Sequence, residues 1–144
     1  MKRIVLGSDH GAFELKDELV AYLKKKDDVT VIDAGVNSTD SVDYPDYADK
    51  VVNLIKNNEA DAGVLCCGTG IGISIRANRH KGIRAALLHD DFTAEMSKAH
   101  NNANVICLGG RTTTIEDAKR YVDIWYATEF EGGRHQRRLD KLDA

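Results

Sequence analysis

Proline occurs once, at Pro45, and no linker, internal repeat or low-complexity segment interrupts the 144 residues. That length is one domain, so a cofactor domain joined to a separate substrate domain is excluded, and residues 1–144 are expected to form a single unit. Aromatic residues are only 6% of the chain, too few for the stacking platforms that hold single-stranded nucleic acid. No excess of positive charge is present either. Twenty Lys and Arg against 23 Asp and Glu give a net charge of −3, which argues against nucleic-acid binding. No apolar run approaches the about 18 residues of a transmembrane helix, so no membrane association is expected. The N-terminal Met1-Lys2-Arg3 is followed by only Ile4-Val5-Leu6 before Gly7-Ser8-Asp9. That is too short for a signal sequence, and the expected location is the cytoplasm. Three cysteines, Cys66, Cys67 and Cys107, show no C-x-x-C spacing and read as free thiols. The five histidines include no i, i+4 pair, so no sequence-local metal site is expected, although ligands can converge in space.

What the chain does contain is a core's worth of apolar residues, 42%, distributed in a regular alternation. Short apolar runs at 3–8, 29–34, 62–67, 83–88 and 104–108 read as buried strands. Between them lie amphipathic stretches at 12–26, from Pro45 to about 57, at 71–79, at 91–100 and after Thr114. Gly132-Gly133 then breaks the chain, and a basic helix runs from Arg134 to about Leu142. Five strands each followed by a helix predict an α/β, doubly wound (Rossmann-like) three-layer fold with a five-stranded parallel sheet. Ligands of such folds bind beyond the C-terminal strand ends. That rule selects 8–11, 67–72, His89-Asp90-Asp91 and Gly109-Gly110-Arg111.

Cys67-Gly68-Thr69-Gly70-Ile71-Gly72 is the strongest local signal. Alternating glycines at a strand-to-helix junction suit a tight turn, and they also let backbone N–H groups crowd toward one anionic oxygen. Residues 67–79 contain no lysine, which excludes a Walker A loop. Ile73 breaks the G-x-G-x-x-G dinucleotide fingerprint, although Asp90 lies about where its acidic partner would. Neither Cys66 nor Cys67 has an arginine six residues on, which excludes a cysteine-phosphatase loop. Neighbouring strand residues face opposite ways, so Cys66 and Cys67 cannot serve one site. Cys67 abuts the loop, whereas Cys66 and Cys107 read as core. A thiolate beside backbone donors acts as nucleophile or as base, and the residues alone leave both open.

Asp9 and His10 close the first strand, at the ligand-binding edge, where an aspartate can equally cap the next helix. His100-Asn101-Asn102 ends the fourth long helix, where a histidine also complements the helix dipole. Arg134 and Arg138, at i and i+4, form a pair that can grip a phosphate. A base, an oxyanion nest, an acid/base histidine and a phosphate clamp fit proton transfer next to a carbonyl, without a metal or redox group.

Asp9-His10, Asp43-Tyr44-Pro45, Cys67 to Gly72, His100 to Asn104 and Gly132-Gly133-Arg134-His135 resemble the type B ribose-5-phosphate isomerases. That family also includes allose- and galactose-6-phosphate isomerases, and the resemblance spans essentially the whole chain. It implies a homodimer, or a dimer of dimers, with the site in a cleft between subunits and no cofactor. It implies that Cys67 is the base moving a proton between sugar carbons 1 and 2, through an enediolate, in the pentose phosphate pathway. Thr69 would assist proton transfer among the oxygens. The amides of Gly68, Gly70, Ile71 and Gly72 would hold the enediolate. His100 would open the furanose, Asp9 would contact the sugar and Tyr44 would line the ring site. His10, Arg134 and Arg138 would bind phosphate, and Asn101 and Arg111 would reach in from the partner subunit. Some relatives use a carboxylate in place of the cysteine, so Cys67 favours the cysteine-dependent subgroup. Arg76 and Cys66 depart from the family pattern. The alternatives are a hexose-6-phosphate substrate such as allose 6-phosphate, and a non-catalytic sugar-phosphate or nucleotide sensor.

Overall fold

The structure, a computed structural model, describes residues 2–144. Strands β1 (Lys2–Ser8), β2 (Val29–Asp33), β3 (Ala62–Cys67), β4 (Ala85–Leu87) and β5 (Val105–Gly109) form one parallel sheet. Its order is β2-β1-β3-β5-β4. Helices α1 (Phe13–Lys24), α2 (Tyr44–Lys56), α3 (Ile71–Ala77), α4 (Asp91–Ala99), α5 (Ile115–Ala127) and α6 (Arg134–Leu142) complete the chain.

Strand alternation sorts the core into two layers. Ile4, Leu6, Val64, Cys66, Ile106 and Leu108 face α1, α4 and α5. Val5, Leu65, Cys67, Val105 and Cys107 face α2 and α3. The expected three-layer α/β fold is therefore present, and Cys66 and Cys67 lie on opposite faces. Two glycines seat α2 closely. A Cβ on Gly7 or on Gly63 would come within 2.7 Å of the Val51 side chain.

Three boundaries differ from the expected ones, each for a local reason. The Asp9 carboxylate accepts the Gly11 N–H at 3.0 Å and winds His10–Ala12 into a 3-10 turn, so α1 starts at Phe13. Helix α3 stops at Ala77 because the Asn78 side chain turns to Ala85, donating to its carbonyl at 2.9 Å and accepting its N–H at 2.8 Å. Strand β4 shrinks to three residues because the Arg84 N–H likewise goes to a side chain, Asn104 Oδ1. Among the described residues, no helix is long and apolar enough to cross a membrane.

After β1 the chain turns outward to β2 and then returns to β3 on the other side of β1. The crevice between the β1 and β3 ends is thus a topological switch point, where doubly wound sheets bind ligands.

Candidate active site

The end of β1 and the end of β3 bring Asp9, His10 and Cys67 to that crevice. His10 Nδ1 accepts the Val42 N–H at 3.1 Å, which leaves Nε2 to carry the ring proton. The preceding loop is held by Lys16, fully buried, whose ammonium donates to Asp33 at 2.8 and 3.0 Å and to Asn37 at 2.9 Å. A buried cation so placed is a fixed anchor for the segment carrying Val42.

Cys67 is 5% exposed, and its Sγ accepts the Gly70 N–H at 3.2 Å. Gly70 holds φ +79°, and a Cβ there would stand 2.6 Å from the Leu87 side chain and 3.0 Å from the Leu108 backbone. Only glycine fits both demands. Thr69 Oγ1 accepts the Ile71 N–H at 3.2 Å. Two of the four amides expected to hold an enediolate, those of Gly70 and Ile71, are thus engaged within the loop itself. Gly72 lies under the Tyr44 ring, which a Cβ would meet at 2.6 Å.

The loop after β5 braces this one. Gly110 N–H donates to the Cys67 carbonyl at 2.8 Å and Arg111 N–H to the Gly68 carbonyl at 2.9 Å. The Arg111 side chain then lies between Gly68 and Gly11, with atoms 3.7–3.9 Å from where their Cβ atoms would be. This corrects the expectation that Arg111 enters from a partner. It belongs with its own chain's Cys67, because the β5 loop lies next to the β3 loop in the sheet order.

His100, Asn101, Arg134 and Arg138 are elsewhere. Each helix runs back across the sheet, so the end of α4 reaches the edge where strands begin. There Asn101 and Asn102 carbonyls accept from Arg84, just before β4. Glu131 N–H donates to the Ala99 carbonyl at 3.0 Å and sets the start of α6 beside His100. The α6 end is tied to the same edge by Arg84–Asp143, 2.7 Å. The five residues of β5 rise about 16 Å from one edge to the other. Within one chain, His100, Asn101, Arg134 and Arg138 therefore do not meet Cys67.

Sequence reasoning assigned no role to two residues at this second edge. His135 stacks on His100, with centroids 4.1 Å apart and ring planes 15° apart, and Glu131 lies 3.7 Å from His100 and 3.5 Å from His135. Burial, then the neighbouring His100 and Arg134, hold His135 below the ordinary histidine range. The i, i+4 spacing of Glu131 and His135 was the available signal.

Other expected features have structural duties. Asp90 caps α4, accepting the Thr93 N–H at 2.7 Å, so the carboxylate a dinucleotide would need is occupied. Arg76 clamps Asp49 of α2 at 2.8 and 3.0 Å and holds that carboxyl below the usual range, a structural duty for that arginine. Burial pushes the Cys66 and Cys107 thiols up, which keeps them neutral core groups.

A hollow of about 260 Å³ adjoins His10, Gly11 and Gly110, below the about 300 Å³ of an ordinary ligand site. A larger one of about 590 Å³ lies at the opposite edge, lined by Arg79, Ile83, Arg84, Asn101 and Leu142. It is not over Cys67, so its size does not make it the chemical centre.

The profile of the ribose/galactose isomerase family matches residues 4–142. The chain belongs to that family. Among family members, ribose-5-phosphate isomerase B of Escherichia coli K12 is 45% identical over 144 residues, covering 100% of this chain and 96% of the relative. The crystal structure of a ribose 5-phosphate isomerase from Thermotoga maritima aligns with a TM-score of 0.96 at 51% identity, covering 99% and 97% of the two chains. That of ribose-5-phosphate isomerase B from Mycoplasma genitalium with bound ribulose-5-phosphate aligns with a TM-score of 0.93 at 43% identity, covering 98% and 93%.

Proposed function

We propose that the chain is an aldose–ketose isomerase that interconverts ribose 5-phosphate and ribulose 5-phosphate. The observation that carries this reading is Cys67, set at the β3 end against a glycine loop in a chain of this family. The relatives named for that reaction support the substrate.

The chemistry follows from the groups present. The Cys67 thiolate removes the proton on carbon 2 of the open-chain aldose, and the electron pair moves to the carbonyl oxygen as an enediolate. The thiol returns the proton to carbon 1, while Thr69 passes a proton between the two oxygens. In this reading the Gly68 and Gly72 amides and the Arg111 guanidinium receive the negative oxygens. His10 offers an Nε2–H to the phosphate. Holding that remote group orients carbons 1 and 2 against the sulfur.

Ring opening and the rest of the phosphate clamp come from a second copy. His100, Asn101, Arg134 and Arg138 lie at the edge opposite Cys67, so one chain cannot complete the site and a homodimer can. Exposed apolar side chains support such an interface: Ile71 and Ile75 are one turn apart on α3, and Phe92 and Leu142 project from α4 and α6. Residues 1–144 act as one unit in this dimer, and free cysteines suit the cytoplasm.

Mixing two inactive variants tests the arrangement. Cys67→Ala and His100→Asn homodimers are each expected to lack turnover. After subunit exchange, random pairing restores about a quarter of the native sites, because each mixed dimer holds one intact site. No recovery despite verified exchange refutes the shared site. Comparing catalytic efficiency on ribose 5-phosphate and allose 6-phosphate tests the substrate, and a clear hexose preference overturns it. Ligand binding without deuterium entering carbon 2 in heavy water points instead to a sensor.

A further inference from the structure

We infer that His100, Glu131 and His135 form a binding site for a divalent transition cation of the zinc type. One ligand atom from each residue lies within 4.8 Å of the others. The His135–Glu131 and His100–Glu131 separations are 3.5 and 3.7 Å. His135 Nε2 is buried and has no hydrogen-bond partner, although its side chain is 93% buried and aimed at the carboxylate. A buried ring nitrogen left bare in this way needs a ligand.

Those separations suit a shared ion better than hydrogen bonds. Two ligands bound at 2.0–2.1 Å and spread at the tetrahedral angle stand about 3.4 Å apart. His135, on the buried face of α6, is the fixed member; Glu131 and His100 are partly exposed, and the His100 ring turns out of its stack on His135 to bring a nitrogen onto the ion. Two imidazoles and one carboxylate select zinc, copper, nickel or cobalt over magnesium and calcium, which take oxygen ligands. With three protein ligands, the fourth position stays open to solvent.

Occupancy has a consequence that rests on the proposed function. An ion on His100 withdraws the group that opens the furanose, so zinc suppresses isomerisation of the cyclic substrate. This would be inhibition of an enzyme whose proton transfer itself uses no metal.

Calorimetric titration of the full-length protein with zinc chloride tests the site. One zinc per chain is expected, with magnesium giving no saturable heat. Glu131→Gln, an exposed change that leaves the fold alone, weakens binding by at least about tenfold, and His135→Gln does the same. Cys67→Ala leaves zinc affinity unchanged. The inference is overturned by the absence of saturable zinc binding, by Glu131→Gln binding as tightly as the native chain, or by loss of binding in Cys67→Ala. Binding that saturates without slowing the isomerase supports the metal site and counts against the role given to His100.

Discussion

Replacing Gly72 with alanine separates activity from stability. Gly72 is the second residue of α3, with ordinary helical backbone, so alanine there gains up to about 1 kcal/mol of helix propensity. Its Cβ would meet the Tyr44 ring at 2.6–2.7 Å, and the ring must retreat about 0.8 Å to regain contact at 3.4 Å. Tyr44 is 38% exposed and can move outward at an off-rotamer cost of about 0.5–1.5 kcal/mol. The two effects roughly cancel, so the melting temperature stays within about 4 °C of the native value. Activity does not escape on the proposed reading, in which Tyr44 lines the sugar site. A displacement approaching 1 Å costs on the order of 10²-fold in rate. Differential scanning fluorimetry and a coupled assay of kcat/KM give both readings on one preparation. Full activity, or a melting temperature lowered by more than about 10 °C, refutes the argument. The adjacent Gly70→Ala is the opposite case. Positive φ costs about 1–2 kcal/mol and contact with the Leu108 backbone adds about 1–3 kcal/mol, so that variant loses stability and activity together.

Lys16→Met strips Asp33 and Asn37 of a buried partner; because Asp33 is partly exposed the loss is about 2–3 kcal/mol, a fall of roughly 5–10 °C in thermal melts. An unchanged melting temperature would remove Lys16 as the anchor of the loop before α2. Brief alkylation of the native protein should label Cys67 alone, since Cys66 and Cys107 are fully buried, and unfolding should expose all three to peptide mass spectrometry. Early labelling of Cys66 contradicts the two-faced placement. Because His135 sits below its unfolded value of about 6.5, the unfolded chain binds the extra proton. Stability is therefore full above about pH 6.5 and declines as pH falls through the interval below it. Melting curves of His135→Gln across that range should be flatter than native ones; identical slopes argue against the histidine.

The strand and helix alternation was legible because both periods are local, and the Cys67 loop was legible because its glycines and cysteine are contiguous. The boundaries at Phe13, Ala77 and Ala85 were not, because each depends on a side chain, Asp9, Asn78 or Asn104, competing for backbone hydrogen bonds. Of the candidate site, Asp9, His10, Cys67 and Thr69 lie at the C-terminal strand ends that the strand-end rule selects, and Tyr44, named by the family resemblance alone, packs over Gly72.

The sequence by itself determined a five-stranded α/β fold and a cysteine beside a glycine-rich loop, since these follow from spacing along the chain. Only the tertiary structure decided that His100, Arg134 and Arg138 stand at the edge opposite Cys67. It alone gathered Glu131 and His135 around His100. The physical reason is direction: each helix carries the chain back across a sheet about 16 Å deep. Residues expected to share one site therefore end at opposite edges of a single chain.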